Sequence, residues 1–385
     1  MKTKTILASV LFLAAAATAL ATEGVNLIGI GPRQQGTAGA GVAAAQDSTW
    51  LILNPAGLTD LERGVDASFQ LFAPSRTIHS TANPAAGKQT DDSVFYIPSL
   101  SAAFNLGESQ DKFFGLGLYG ASGMGVDYDQ PRVGFSTGDT RTELSIAKLT
   151  ATYAQSFDNG FSFGAGPLLV LGRFRTDMET SQIGPPSAAS SDSWDDAAGV
   201  GAIVGVNQKI NDRLRIGASY ISEQFMEDYD EYGTLFADSL NLPQQLTAGV
   251  AYQLVESVEV ALDYRWIGWG RLDTFGDQFG WEDQHIVKAG ATWNATDKLT
   301  LRAGVSHGNS PIGAEDVFPN ALFPAIMETH LATGASYQFQ SFALHFAYIH
   351  ALEEELVASG PPEAGGGTTI SMVQNSATLG ASWNF

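Results

Sequence analysis

Several arrangements in this sequence have residue types that could do chemistry. Gly304-Val305-Ser306-His307-Gly308 fits the pattern G-x-S-x-G, in which the serine would be an acyl-transfer nucleophile. That chemistry needs a strand-to-helix turn, whereas these residues finish an alternating strand and enter a loop containing Pro and Gly. His345 and His350 lie five apart in one extended segment and so point to opposite faces, which argues against a shared metal. Gly36, Gly39 and Gly41 invite a phosphate-loop reading, but no strand precedes them in a βαβ context. Glu259, Asp263, Arg265, Lys288 and Arg302 fall on the polar side of consecutive alternating segments. Their commoner role is mutual pairing, because an unpaired charge in a dry interior is costly. The functional alternative is that Arg265, Lys288 or Arg302 receives a substrate carboxylate. None of this amounts to an enzyme, and no cofactor or metal is implied.

Composition narrows the classes further. The 385 residues include 41 acidic and 20 basic side chains, a formal charge of −21, with 42 glycines and no cysteine. Scattered Lys and Arg in such an excess of acid supply no basic stripe for nucleic acid. Without cysteine there is no disulfide scaffold, thiolate metal site or cysteine nucleophile. A mean hydropathy of −0.01 is too low for a polytopic helical membrane protein, which needs repeated apolar runs of ~20 residues. The one long run, Ile6 to Leu20, follows Lys2 and Lys4 and precedes the small-x-small triplet Ala19-Leu20-Ala21. Residues 1–21 therefore read as a secretory signal peptide, and removing its two lysines takes the charge from −21 to −23.

Beyond residue 60 the dominant pattern has period two. Leu246, Ala248, Val250, Tyr252 and Leu254 alternate with Gln245, Thr247, Gly249, Ala251 and Gln253, and the last segment does the same through Ala377, Leu379, Ala381, Trp383 and Phe385. This reading gives fourteen strands, near 64–73, 93–105, 112–121, 144–157, 161–173, 197–209, 213–222, 244–254, 257–267, 285–294, 298–307, 329–340, 342–351 and 375–385. Short turns such as Ile210-Asn211-Asp212 alternate with long connections near 174–196, 223–243, 268–284, 308–328 and 352–374. An even strand number, short turns on one side and long loops on the other are the organisation of a transmembrane antiparallel β-barrel. Aromatics near strand ends, among them Tyr153, Tyr220, Trp266, Trp293, Tyr337 and Trp383, suit an interfacial girdle. The rival is a secreted all-β sandwich. Its outer faces should carry many Lys, Glu and Thr, whereas the non-apolar face here is rich in Gly, Ala and Ser in a chain only 16% charged.

Residues 22–63 break the alternation and are too few to bury a core of their own, so they must pack against something else, and the barrel lumen is the available cavity. The stretch Gly36-Thr37-Ala38-Gly39-Ala40-Gly41-Val42-Ala43-Ala44-Ala45, the acidic Asp47, and then Asn54-Pro55-Ala56-Gly57-Leu58 ahead of fourteen strands resembles the FadL-type family of outer-membrane transporters for long-chain fatty acids and other hydrophobic compounds. Leu242-Pro243-Gln244, Asp263-Tyr264-Arg265-Trp266-Ile267-Gly268-Trp269 and Phe323-Pro324 before Glu328-Thr329-His330-Leu331 extend the resemblance over nearly the whole mature chain. It implies that residues 22–63 are a hatch plugging the lumen of a barrel formed by 64–385, with Asn54, Pro55 and Ala56 as the hatch motif. It also implies an inward kink in the third strand that opens the wall sideways. Gly117, Gly120, Gly123 and Gly125 are its candidates, since glycine in a strand permits a bend or bulge.

Two long loops are apolar. Phe225, Met226, Tyr229, Leu235 and Phe236 crowd one, and Phe318 and Phe323 stand in the other. Exposed clusters of this size usually mark a binding surface, the alternative being that they pack on one another to cap the barrel. The acidic runs Glu227-Asp228-Tyr229-Asp230-Glu231 and Glu353-Glu354-Glu355 read as solvated loop surface, with divalent-cation binding that bridges lipopolysaccharide as the alternative. The expectation is a monomeric barrel in the outer membrane of a Gram-negative bacterium that takes up hydrophobic small molecules passively. Its rivals are a diffusion porin, a structural outer-membrane protein and a membrane-embedded esterase. Its partners would be outer-membrane lipid, lipopolysaccharide and, through the terminal Phe385, the barrel-assembly machinery.

Overall fold

A computed structural model describes residues 23–81, 87–107, 111–128, 140–176, 193–232, 235–236, 238–361 and 365–385. The expected signal peptide lies outside the described residues. Fourteen long strands form the wall: β1 Gly64–Ser80, β2 Phe95–Asn105, β3 Lys112–Tyr128, β4 Thr140–Ser156, β5 Phe161–Thr176, β6 Asp195–Lys209 and β7 Leu214–Ile221. The wall continues with β8 Gln245–Val255, β9 Val258–Ile267, β10 Gln284–Asn294, β11 Leu299–Gly308, β12 Thr329–Gln338, β13 Ala343–Val357 and β14 Thr368–Asn384. Two short segments, Gln89–Asp91 and Phe225–Met226, add to β1 and β6. Each long strand pairs antiparallel with the next, and β14 returns to β1 from Gly64↔Asn384 to Ser80↔Thr368, so the barrel closes.

The alternation assigns the two faces. Leu262, Tyr264, Leu331, Phe346 and Leu379 are exposed outward, while Asp263, His330, Ala347 and Thr378 between them are buried inward. A large apolar side chain is favourable outside only where lipid covers it, and here such side chains recur around the whole barrel.

Several strands are longer than the alternation indicated. The last starts at Thr368 rather than 375, and the thirteenth runs to Val357 rather than 351. Their extra turns pair with each other and with β1, beyond a register shift between Ala351 and Glu354. A bulge breaks the period of two. Above the lipid the outer face also no longer has to be apolar, so the pairing continues where the pattern has ended.

Residues 23–63 lie inside the barrel, and most of them are buried. A short helix, Gly31–Gly36, and two 3₁₀ turns, Ser48–Ile52 and Pro55–Asp60, are connected by tight turns and held by the wall. Asn54 caps the second 3₁₀ turn by accepting from Ala56 N–H at 3.1 Å, with Pro55 at the first position, where its missing N–H and fixed φ suit a helical start. The Asn54 amide also donates to Val42 O and to Asn207 Oδ1 of β6, both at 2.8 Å. Asp263 of β9 accepts from the amides of Gly41 and Val42 at 2.7 and 2.9 Å. Gly304 of β11 faces Thr37 so closely that a Cβ would run into its backbone.

Replacing Asp263 with alanine removes a charged acceptor from two buried amides, at a cost of about 3 kcal/mol to the seating of the inner segment. Hydrogen exchange at residues 38–46 should then speed up, while the heat-induced gel shift of the folded barrel stays at its wild-type temperature. Unaltered exchange would show that the carboxylate does not hold the segment.

Candidate functional site: an apolar cavity at a break in the wall

The site begins with a proline and a bulge. β2 and β3 pair only from Ser99↔Tyr119 to Asn105↔Phe113. Above that point Phe95–Pro98 still pair with β1, and Ser122–Tyr128 still pair with β4, but not with each other. Pro98 stands where the ladder stops and has no N–H to extend it. On β3 the register to β4 shifts between Gly120 and Ser122, leaving Ala121 as the extra residue. A Cβ at Gly120 would strike Ile97, and Gly125 has φ +145°, a backbone conformation open mainly to glycine.

Of the four candidate kink glycines, Gly120, Gly123 and Gly125 line the cavity at this break, and Gly117 lies below it within the paired part of β3. The backbone groups β3 loses are taken up from inside. Leu27 N–H donates to Ala121 O at 3.2 Å, Gly123 N–H donates to Val25 O at 3.1 Å, and Ser122 Oγ donates to Asn26 Oδ1 at 3.1 Å. At the top, Arg76 Nη1 donates to Gly125 O at 2.5 Å and its Nη2 lies 2.7 Å from Asp91, whose carboxylate also accepts from Asp127 N–H at 2.8 Å. The break is thus framed by the paired strands below and by this clasp above.

Between them lies a cavity of about 680 Å³. Its inner wall includes Val25, Ile28, Ile146, Ile349 and Met372. It also reaches Tyr96, Leu100, Leu118 and Leu171, which are exposed at 65, 53, 48 and 46% on the outer, lipid-facing side. The cavity therefore runs from the lumen through the wall.

The apolar loops are arranged differently from an open greasy surface. Tyr229 and Phe236 pack on Phe174 with ring centroids 5.6 and 5.1 Å apart, and Met226 and Leu235 are buried beside them. Phe323 meets Phe279 at 5.6 Å, and Phe318 packs on the same cluster. Phe225 alone of the seven points outward, 60% exposed. The other six close the long-loop end of the barrel, in a cluster continuous with Val25, Ile146 and Met372 of the cavity. None of the seven lines it, whereas Pro324 and Ala325 do.

The three candidate cations are brought to the inner segment. Arg265 and Lys288 both pair with the fully buried Glu23, and Arg265 also donates to Gln245. Arg302 donates to Gln46 Oε1 at 2.7 Å and to Ser336 Oγ at 2.6 Å. Glu259 pairs with Arg215. Sequence reasoning missed Glu23, Arg76 and Asp91. Neither Glu23 nor the Arg76 clasp left a trace in the pattern. Ser306 is wholly buried within β11, where there is no strand-to-helix turn, and His345 and His350 bond different partners, Ser336 and Asn375.

Comparison with known proteins settles the family. The profile of the family described as "Outer membrane protein transport protein (OMPP1/FadL/TodX)" matches residues 12–382. The chain belongs to this family. It is therefore an outer-membrane β-barrel. Outer membrane protein P1 of Haemophilus influenzae is 24% identical over 308 residues, which cover 66% of each chain, just under two thirds of that protein. The long-chain fatty acid transport protein of Salmonella typhi is 22% identical over 362 residues, covering 80% of this chain and 82% of its own. Among solved structures, the Pseudomonas putida toluene transporter TodX superposes with a TM-score of 0.75 at 20% identity, over 93% of this chain and 99% of that one. A Pseudomonas aeruginosa FadL homologue gives 0.73 at 17%, over 94 and 100%. At such identity these structures speak for the shared FadL/TodX fold alone.

One titratable group in the cap is displaced from its ordinary range. Glu328 ends the 308–328 loop and accepts from Ser310 N–H at 3.0 Å. Burial, aided by repulsion from Glu354 and opposed by the Ser310 bond, pushes its carboxyl up to about 7. A raised carboxyl favours the folded loop most below its unfolded value of 4.5, and that support is lost as pH rises through about 7. Exchange in residues 309–328, corrected for intrinsic rates, should be faster at pH 8 than at pH 5. Glu328→Gln should flatten the difference; an undiminished difference would assign it to another group.

Proposed function

We propose that this protein takes up hydrophobic small molecules passively, through a lumen plugged by residues 22–63, and releases them sideways through the β2–β3 break into the membrane. The single observation that carries this reading is the cavity joining lumen-facing apolar residues to lipid-facing ones where the ladder is missing. An apolar molecule can then leave for lipid without crossing the polar vestibule below, where Arg33, Arg302, Lys298 and His345 line a separate cavity. The names of the related proteins, a fatty acid transporter and a toluene transporter, support the same cargo class. The inner segment serves as the hatch, and Asn54, Pro55 and Ala56 hold it to β5 and β6. The apolar cap offers the first contact for cargo from outside, with Phe225 at its rim and Tyr229, Leu235, Phe236, Phe318 and Phe323 beneath. Passage needs no energy source beyond the concentration gradient, and the protein acts as a monomer surrounded by outer-membrane lipid and lipopolysaccharide.

Deleting Ala121 restores the β3 register and should close the break. Uptake of a radiolabelled hydrocarbon or fatty acid into cells expressing the variant should fall to the level of cells without the protein, while the folded barrel is still recovered from the outer membrane. Full uptake by a correctly inserted variant would refute lateral exit. A large steady ion current through the wild-type protein in planar bilayers would favour a diffusion porin instead.

A further inference from the structure

The charges around the cavity restrict its cargo, granted the uptake reading above. Two arginines line it. Arg76 is only 3% exposed, pairs with Asp91 at 2.7 Å, donates to Gly125 O and lies against the Phe95 ring. Arg173, toward the outside, pairs with Asp196 at 2.6 Å and lies against Trp194. The lining carboxylate Glu143 is held by Arg175 at 2.7 Å. Of the neutral polar groups, Asn26 is bonded to Ser122 and Gln70 to Gln35, while the Tyr119 and Ser376 hydroxyls at the lining carry no charge to offset a carboxylate. His330, the other lining side chain able to carry positive charge, is wholly buried. Across the lumen, Arg265 and Lys288 are already occupied by the carboxylate of Glu23.

A guest carboxylate would therefore enter an apolar space in which, among the described residues, both lining arginines are already paired. Taking Asp91's place on Arg76 would leave Asp91 without its cation; taking Glu23's place would leave Glu23 without its two. Either exchange leaves one buried carboxylate without a cation, a strongly unfavourable state. The formal charge of −21 opposes the approach of anions as well. We propose that the cavity at the β2–β3 break selects uncharged hydrophobic molecules over carboxylates of the same chain length, so that the cargo of this protein is neutral.

The test uses a soluble matched pair, 1-octanol and octanoate, titrated calorimetrically at pH 8 into the detergent-purified full-length protein with protein-free micelles as blank. Octanol should bind at least about tenfold more tightly. Octanoate binding equally well or better would overturn the selectivity while leaving uptake intact; binding of neither would remove the uptake reading itself. Met124→Lys places a cation on the cavity wall through a half-buried, flexible side chain with no acidic partner directly across the β3–β4 ladder. It should raise octanoate affinity about tenfold and lower that of octanol. A folded variant with unchanged preference would overturn the charge argument.

Discussion

A bilayer offers an amide group no solvent partner, so every backbone N–H and C=O at that depth must find one inside the protein. The neighbouring strand pairs described meet this requirement with ladders that are broken only locally, as between Thr150↔Leu168 and Tyr153↔Ala165, save for one pair. The β2–β3 pair is the exception, and the rest of the molecule is arranged around it. An unsatisfied group costs roughly 2–7 kcal/mol in an apolar medium. The carbonyls of Ala121 and Gly125 and the amides of Gly123 and Asp127 would together cost roughly 8–28 kcal/mol, on the scale of a domain's usual margin of stability, about 5–15 kcal/mol. The inner segment and the Arg76–Asp91 clasp supply those partners. The break is tolerated because it is lined from within.

The same groups link the inner segment to the break. Val25, Asn26 and Leu27 bond the bulged strand, while Glu23, two residues before them, is anchored on Arg265 and Lys288 of the opposite wall. Residues 23–28 thus cross the lumen as a strap, fixed by charge at one end and by backbone bonds at the other. Any movement that frees one end alters the lining of the cavity. The cap above is built from aromatic rings packed on one another, and its apolar cluster continues down into the cavity.

The barrel, its fourteen strands and their inside and outside were legible in the sequence, because lipid imposes one rule on every second residue and the pleat repeats it exactly along each strand. Strand ends were less so, since the rule lapses where the sheet rises into water. Gly120, Gly123 and Gly125 stand at the break in β3, and Asn54-Pro55 opens a capped turn; both are local backbone features that a sequence can carry. The partners of the cations were not legible. Arg265 and Lys288 meet Glu23 from 242 and 265 residues away in the chain, and which carboxylate reaches which cation depends on how the inner segment is folded.

The sequence by itself determined a closed, lipid-embedded sheet with something packed inside it, since alternation, turn length and glycine placement are local consequences of a bilayer and a pleat. Only the tertiary structure decided where the sheet is left unpaired, that the greasy loops turn inward, and that every charge around the cavity is already matched. Those outcomes rest on contacts between distant segments, where burial and pairing are settled together, and no periodicity along the chain records them.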